Sequence, residues 1–247
     1  MKILTLPVAT RPHYLKQMLN SLKDNNLEGW KLYINSEPNQ EVIDVINNID
    51  FIETSIIIND TILGVRQNPY NVLDRAFNDD ADFVLHLEDD LILSPDALDL
   101  ANWYYENYNS DPTKYIAYGL FNYRSESDEP EEIVEHARFN GLGWCTFKQN
   151  WNKWFAPIWF DDEINKRVWG PHTIGWDWSV QAICKTENLD TLLPTLGRSN
   201  HIGRIGGTYC SAAFHDQTFT SLIINDELKE DLDDYYITLG KRIPIDE

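Results

Sequence analysis

The sequence predicts an α/β fold: a mostly parallel central sheet flanked by helices, with an irregular, aromatic-rich C-terminal half. Three observations predict it. Short apolar runs alternate with helical apolar stripes through the first half of the chain. Charged residues cluster in the loops that follow those runs. The second half drops the alternation and turns rich in aromatics and Gly.

The elements follow in order. Residues 2–6 read as a buried first strand. Tyr14, Leu15, Met18, Leu19 and Leu22 recur at helical spacing, which predicts a helix over 14–25. Trp30 to Asn35 is the second strand, and Val42, Ile43 and Ile46 share one face of a helix over 40–48. A strand over 55–58, a helix over 68–77 and a strand over 83–87 complete the alternation. Strands separated by helices pair in parallel. Ser94-Pro95-Asp96 opens the next helix, with Ser94 as cap and Pro95 at the first helical position, and it runs to about Tyr108. Residues 115–120 are another strand, and the polar, acidic stretch 124–136 is an exposed loop. Residues 197–208 hold four Gly and two Arg, which suits a flexible lid over an anionic ligand.

The bulk composition limits the partners. The 247 residues suffice for one large domain or two small ones, and 43% hydrophobic residues can bury a sizeable core. A net charge of −20 opposes nucleic-acid binding, which depends on Lys and Arg neutralising phosphates. The three cysteines, Cys145, Cys184 and Cys210, are far apart and odd in number, which fits a reducing, cytoplasmic setting rather than a disulfide framework. The run from Met1 to Pro7 is too short for a signal peptide, and no stretch approaches the length of a membrane span.

Chemistry concentrates where the fourth strand ends. Glu88, Asp89 and Asp90 are adjacent acids between two apolar runs. Hard cations such as Mn²⁺ or Mg²⁺ prefer oxygen ligands and are often held by one or two carboxylates plus a substrate's phosphates. An exposed acidic turn is the plain alternative. In open α/β sheets, ligands bind at the carboxyl ends of the strands. Arg11 after the first strand and Glu37 after the second therefore join the acids in one candidate site. Arg11 could meet a diphosphate or a base, and Glu37 a nucleobase edge. Asp177 lies between Trp176 and Trp178, where desolvation would raise its pKa toward a general base. Gly141 and Gly143 allow close approach of backbone to a ligand, and Trp144 offers a stacking face. Of the histidines, His86 reads as core, and His215 is better placed than His201 to complete a metal shell.

These motifs occur in a familiar order. Leu87-Glu88-Asp89-Asp90-Leu91, Ser94-Pro95-Asp96, Gly141-Leu142-Gly143-Trp144, Trp176-Asp177-Trp178, Ser199-Asn200-His201-Ile202-Gly203 and Phe214-His215-Asp216-Gln217 follow one another. The set resembles the inverting GT-A glycosyltransferases of the α-mannosyl-glycoprotein β-1,2-N-acetylglucosaminyltransferase family, from about residue 3 to residue 219. The resemblance implies a GT-A-like fold, a nucleotide-sugar donor, typically UDP-GlcNAc, and Mn²⁺. It implies that Arg11 binds the donor, that Glu37 reads the uracil, and that Asn68 stands where the family has a His near the nucleotide. It implies that Glu88 approaches the ribose, Asp89 the donor sugar and Asp90 the metal, and that Trp144 lines the sugar pocket. Asp177 matches the catalytic base, although the family has Trp-Asp-Asp-Trp where this chain has Gly-Trp-Asp-Trp. Residues 199–207, with His201, match the donor-closing loop. The expected organisation is a single domain over 1–247, with a nucleotide-sugar-binding half over 1–120 and an acceptor and base half over 121–247. The acceptor would be a glycan or another hydroxyl-bearing molecule. Two other classes share parts of this pattern. A nucleotidyltransferase acting on sugar phosphates would carry a Gly-rich loop after the first strand, where this chain has Pro-Val-Ala-Thr-Arg-Pro. A non-catalytic sugar-binding module would account for nine Trp but not for three acids at a strand end.

Overall fold

The parallel half forms as its pattern requires. The computed structural model describes residues 1–123 and 133–219. Strand β1 (Lys2–Val8) leads through helix α1 (Pro12–Lys23) to β2 (Trp30–Ser36), and α2 (Gln40–Ile46) leads to β3 (Thr54–Ile58). Helix α3 (Gly64–Asn78) returns the chain to β4 (Phe83–His86). β1 pairs in parallel with β2 on one side and β4 on the other, and β2 pairs in parallel with β3. Pro12 at the first position of α1 and Asn39, whose side chain accepts from Val42 N at 3.1 Å, start two of these helices.

The rest of the chain extends the sheet. β5 (Leu91–Leu93) is followed by α4 (Ala97–Tyr108), β6 (Ala117–Gly119), β7 (Ile133–His136) and β8 (Trp144–Phe147). A short helix, α5 (Lys148–Asn150), runs into a π-helical turn over Trp151–Phe155. α6 (Asp162–Trp169), α7 (Trp176–Glu187), β9 (Thr191–Pro194), β10 (Ser199–His201) and α8 (Ala212–Phe219) follow. The large sheet has the order β3-β2-β1-β4-β8-β6-β9-β7, and β5 pairs with β10 in a separate antiparallel ribbon.

Both faces of the sheet are covered. Leu4, Leu6 and Val8 of β1 pack on one side with Leu15, Met18, Val42 and Leu98. Ile3 and Val84 face the other side with Val72, Phe77 and a Trp-rich cluster. Alternate residues of one strand thus enter opposite layers, as a two-fold strand period demands. In the second layer Trp159 and Trp176 stack with ring centres 4.3 Å apart and planes 4° from parallel.

Three sequence expectations change here. α4 begins at Ala97 rather than at Pro95, and the Ser94 hydroxyl bonds the Asp96 carboxylate rather than capping the helix. Asp96 is drawn away to Arg198, a fully buried guanidinium that donates from Nε at 2.9 Å. Residues 133–136 of the expected acidic loop form β7, because Ile133 to His136 pair with Thr191 to Pro194; residues 124–132 lie outside the described residues. The expected lid over 197–208 is strand at three of its residues: Ser199–His201 pairs with Leu91–Leu93, leaving loop at 197–198 and from residue 202. Among the described residues, no helix is long and apolar enough to cross a membrane.

Candidate active site

The carboxyl ends of β1 and β4 place Arg11 beside the acidic turn. Arg11 Nη2 donates to Asp89 Oδ1 at 2.8 Å and lies 2.7 Å from Asp90 Oδ2. Ala9 N donates to the second Asp89 oxygen at 3.1 Å. His201 Nε2 lies 3.2 Å from Asp90 Oδ2, and the Asp90 carbonyl accepts from Ile202 N at 2.9 Å. The β5–β10 ribbon delivers His201 to that position. Gly203 is then required: a Cβ there would sit 2.1 Å from Asp90 Oδ2 and 2.8 Å from His201 Nε2.

The three acids do not titrate alike. Burial, then repulsion from Asp90, Asp89 and Asp177, pushes Glu88 well above the usual carboxylate range. Burial and Asp90 push Asp89 up to about 6, against the opposing pull of Arg11. Burial also acts on Asp90, but the hydrogen bond and charge of His201, together with Arg11, outweigh it and hold Asp90 at about 2. Asp90 is therefore the member that keeps its charge most firmly.

Asp90 has one oxygen to spare. Oδ2 takes Arg11 and His201, whereas Oδ1 is buried without a partner. Among the described residues it is the only carboxylate oxygen so placed. His201 Nδ1 and His215 Nδ1 are also buried without a hydrogen bond, although His215 Nδ1 lies 3.9 Å from Asp216 Oδ1. His215 Nε2 meets the His201 carbonyl at 3.0 Å, so it acts as the donor and leaves Nδ1 with a lone pair. Among the described residues no group of three or more His, Cys, Asp or Glu side chains gathers to hold a metal ion by itself. The donor set fits a cation of the Mg²⁺ or Mn²⁺ kind only in the partial sense that such ions accept, one carboxylate plus ligands from substrate and water.

Glu37 and Asn68 turn out to be committed within the protein. Glu37 is buried and accepts from Leu63 N, Gly64 N and Asn59 Nδ2 at 2.7–3.2 Å. Asn68 Nδ2 donates to the carbonyls of Val8 and Asn35, and its Oδ1 accepts from Asn59. Neither presents a spare edge to a nucleobase; together they tie the ends of β1 and β2 to the start of α3. Trp144, expected as a sugar platform, is 1% exposed and stacks on Phe155 with ring centres 4.8 Å apart. Its place on β8, at the centre of the sheet, puts the indole in the core. The two Arg of the expected lid are paired with acids, Arg198 with Asp96 and Arg204 with Asp216.

The second carboxylate centre faces the first. Asp177 lies in the first turn of α7, close enough to Glu88 to raise its pKa. Gly175 has φ +127°, and a Cβ there would sit 2.7 Å from Asp177 Oδ1 and 3.5 Å from Trp178 Cδ1. Burial raises the pKa of Asp177, while the backbone N–H groups of Trp178 and Asp177 hold its carboxylate and partly offset the rise. The turn is braced from behind. Asn165 Nδ2 donates to the Gly175 carbonyl at 2.9 Å, and Arg66 grips Asp162 through two 2.9 Å bonds. Trp159 Nε1 donates to the Arg66 carbonyl, and Arg66 Nε donates to the Trp159 carbonyl.

Sequence reasoning missed Tyr123. It is 57% exposed, bonds the Asn140 side chain and lies within electrostatic reach of Asp177 and Glu88. A lone Tyr after a strand has no motif around it. It missed Arg66 for the same reason, because the pair with Asp162 spans 96 residues.

No family model matches the chain, and no curated protein sequence matches it. Solved structures do. S. aureus TarS 1–349 in complex with UDP-GlcNAc is 13% identical with a TM-score of 0.58, over 96% of this chain and 64% of that one. Another structure of S. aureus TarS 1–349 is 12% identical with a TM-score of 0.55, over 79% and 58%. The mannosyltransferase PcManGT from Pyrobaculum calidifontis, in complex with GDP-Man and Mn²⁺, is 13% identical with a TM-score of 0.48, over 80% and 57%. This chain has a GT-A-like fold. It spans less than two thirds of the length of the structures it matches. None of these matches singles out the β-1,2-N-acetylglucosaminyltransferases.

Proposed function

We propose that this protein is a metal-dependent, inverting glycosyltransferase that moves a sugar from a nucleotide-sugar donor to an acceptor hydroxyl. The observation that carries the reading is the meeting of two carboxylate centres at one mouth of a GT-A-like sheet. One is the Arg11–Asp89–Asp90–His201 cluster at the ends of β1 and β4, and the other is Asp177 on α7. UDP-GlcNAc is the donor the sequence resemblance favours, and the UDP-GlcNAc complex of TarS, on the same fold, is consistent with that choice.

Each residue then has a task. Asp90 Oδ1, with His215 as the further protein ligand, would hold Mn²⁺ or Mg²⁺. A bound ion supplies charge neutralisation for the departing nucleoside diphosphate. Arg11 adds a fixed positive charge on the same side, oriented by Asp89. Asp177 takes the proton of the acceptor hydroxyl as that oxygen attacks the anomeric carbon. Its raised pKa makes it a stronger base than a solvated Asp, and the N–H groups of its helix turn aim it. The loop from residue 202, anchored by Gly203 against Asp90, would exclude water from the donor.

Titration calorimetry with UDP-GlcNAc, UDP-Glc, UDP-Gal and GDP-mannose tests the reading, first with Mn²⁺ and then with EDTA. Binding of one donor that disappears with EDTA is the expected result. No nucleotide binding under either condition overturns the transferase and leaves a sugar-binding module as the better account.

A further inference from the structure

Beside Asp177 the surface is aromatic where a soluble protein would ordinarily be polar. Trp178 follows Asp177 directly and is 40% exposed. Its ring is not loose. Trp169 Nε1 donates to the Trp178 carbonyl at 3.2 Å, and the two rings meet edge-on with centres 5.8 Å apart. Lys185 covers Trp169 at 4.6 Å, so the supporting ring is itself pinned. An edge of the Trp178 indole and the Asp177 carboxylate converge on one point, the vacant Cβ position of Gly175. A side chain at Gly175 would separate them. Ile174, 54% exposed, extends the same lip. Tyr123, also exposed, lies within electrostatic reach of the carboxylate, held by Phe121 at 4.8 Å and by the Asn140 amide. Exposed indole forfeits the stabilisation that burial would supply. The fold nevertheless holds it rigid next to the candidate base.

We infer that the acceptor is an uncharged glycoside whose sugar ring stacks on Trp178 and presents a hydroxyl to Asp177. This deepens the transferase reading and rests on it. A pyranose has one face of C–H groups, which packs on an indole, and a rim of hydroxyls, which reaches neighbouring polar atoms. The Tyr123 hydroxyl and the Asn140 amide are such atoms. Charge argues for neutrality. Behind the Gly175 turn Arg66 is paired with Asp162, and Lys166 of α6 is paired with Glu163. Asp177 and the net charge of −20 repel a polyanionic acceptor.

Two measurements on the full chain test this separately from the donor site. The first titrates wild type and Trp178→Ala with neutral oligosaccharides and with uronic-acid oligosaccharides, following tryptophan fluorescence and protein NMR shifts, without any nucleotide. Neutral saccharides should bind wild type, and Trp178→Ala should weaken that binding about tenfold, the size of one aromatic contact; Trp178→Phe should recover part of it. The second measures nucleotide release from the donor selected by calorimetry, with each acceptor class added. Neutral acceptors should stimulate release, and the acceptor KM of Trp178→Ala should rise more than its donor KM. Preference for the anionic class, or equal saccharide binding by wild type and a folded Trp178→Ala, overturns the inference while the transferase reading stands. Saccharide binding that depends on Trp178, with no nucleotide bound or released, sinks the transferase reading and leaves the platform.

Discussion

Glu37 and Asp90 stand at the ends of β2 and β4, with only β1 between them, and their surroundings are opposite. Glu37 is surrounded by donors: two backbone N–H groups at the start of α3 and the Asn59 amide. Asp90 shares one oxygen between Arg11 and His201 and leaves the other buried and bare. A buried acid with every lone pair engaged is a structural joint. A buried acid with an oxygen to spare carries a penalty of about 1–3 kcal/mol for that atom, which an arriving ligand could relieve. Position at a strand end therefore does not separate the two roles; the count of donors does.

Four outcomes would break or sharpen that contrast. The largest effect belongs to Asp177, the third acid, whose carboxylate is held by the N–H groups of its own helix turn. Asp177→Asn should lower the transfer rate by about 10²–10⁴-fold, the range for a lost general base, with donor affinity retained. Parallel loss of donor binding by calorimetry would make Asp177 structural. Next is Asp90→Asn, which should weaken Mn²⁺-supported donor binding by about 100-fold or more. The same affinity with and without EDTA in this variant, at wild-type strength, would mean that the bare oxygen holds no cation. Glu37→Ala should act on the fold instead. It strands three donors and should lower stability by about 2–3 kcal/mol in urea unfolding, with the folded fraction still binding nucleotide. A stable Glu37→Ala protein that has lost only uridine selectivity would reverse the assignment of Glu37.

The smallest effect is a pH signature at Glu88. Its folded pKa is raised by burial and by Asp90, Asp89 and Asp177. The folded state therefore keeps its proton where the unfolded chain, with a pKa of about 4.3, has released it. Stability falls as pH rises through that window. Glu88→Gln has no proton to lose, so it should be more stable than wild type at neutral pH and gain nothing below about pH 4. Each kcal/mol relieved should appear as about 2–4 °C in Tm at this size. A Glu88→Gln variant whose Tm difference from wild type does not change with pH would show that the turn is better solvated than the structure indicates.

The parallel half was legible because its code is local. Leu4, Leu6, Leu32 and Leu85 are part of short apolar runs, and each run forms a strand with both faces buried. The loops at the strand ends then had to meet, which is why Arg11, Asp89 and Asp90 group from sequence alone. The second half was less legible. Ser199-Asn200-His201 reads as polar loop, yet it is a strand, because its partner Leu91–Leu93 lies 106–110 residues earlier and supplies the ladder. Trp144 reads as a stacking platform after two glycines, yet β8 carries it to the middle of the sheet.

Neighbouring residues alone encode the class of fold, the run of acids after β4 and the acid between two indoles, since apolar period and strand-end position are local properties. Only the tertiary structure decided which acid is a joint and which has a free oxygen, and which indole is core and which is surface. Trp176 stacks on Trp159 inside, whereas Trp178, two residues on, faces solvent beside Asp177. The physical reason is that satisfaction and burial are sums over partners brought from distant segments, such as His201 to Asp90 and Arg66 to Asp162. No local pattern encodes those sums.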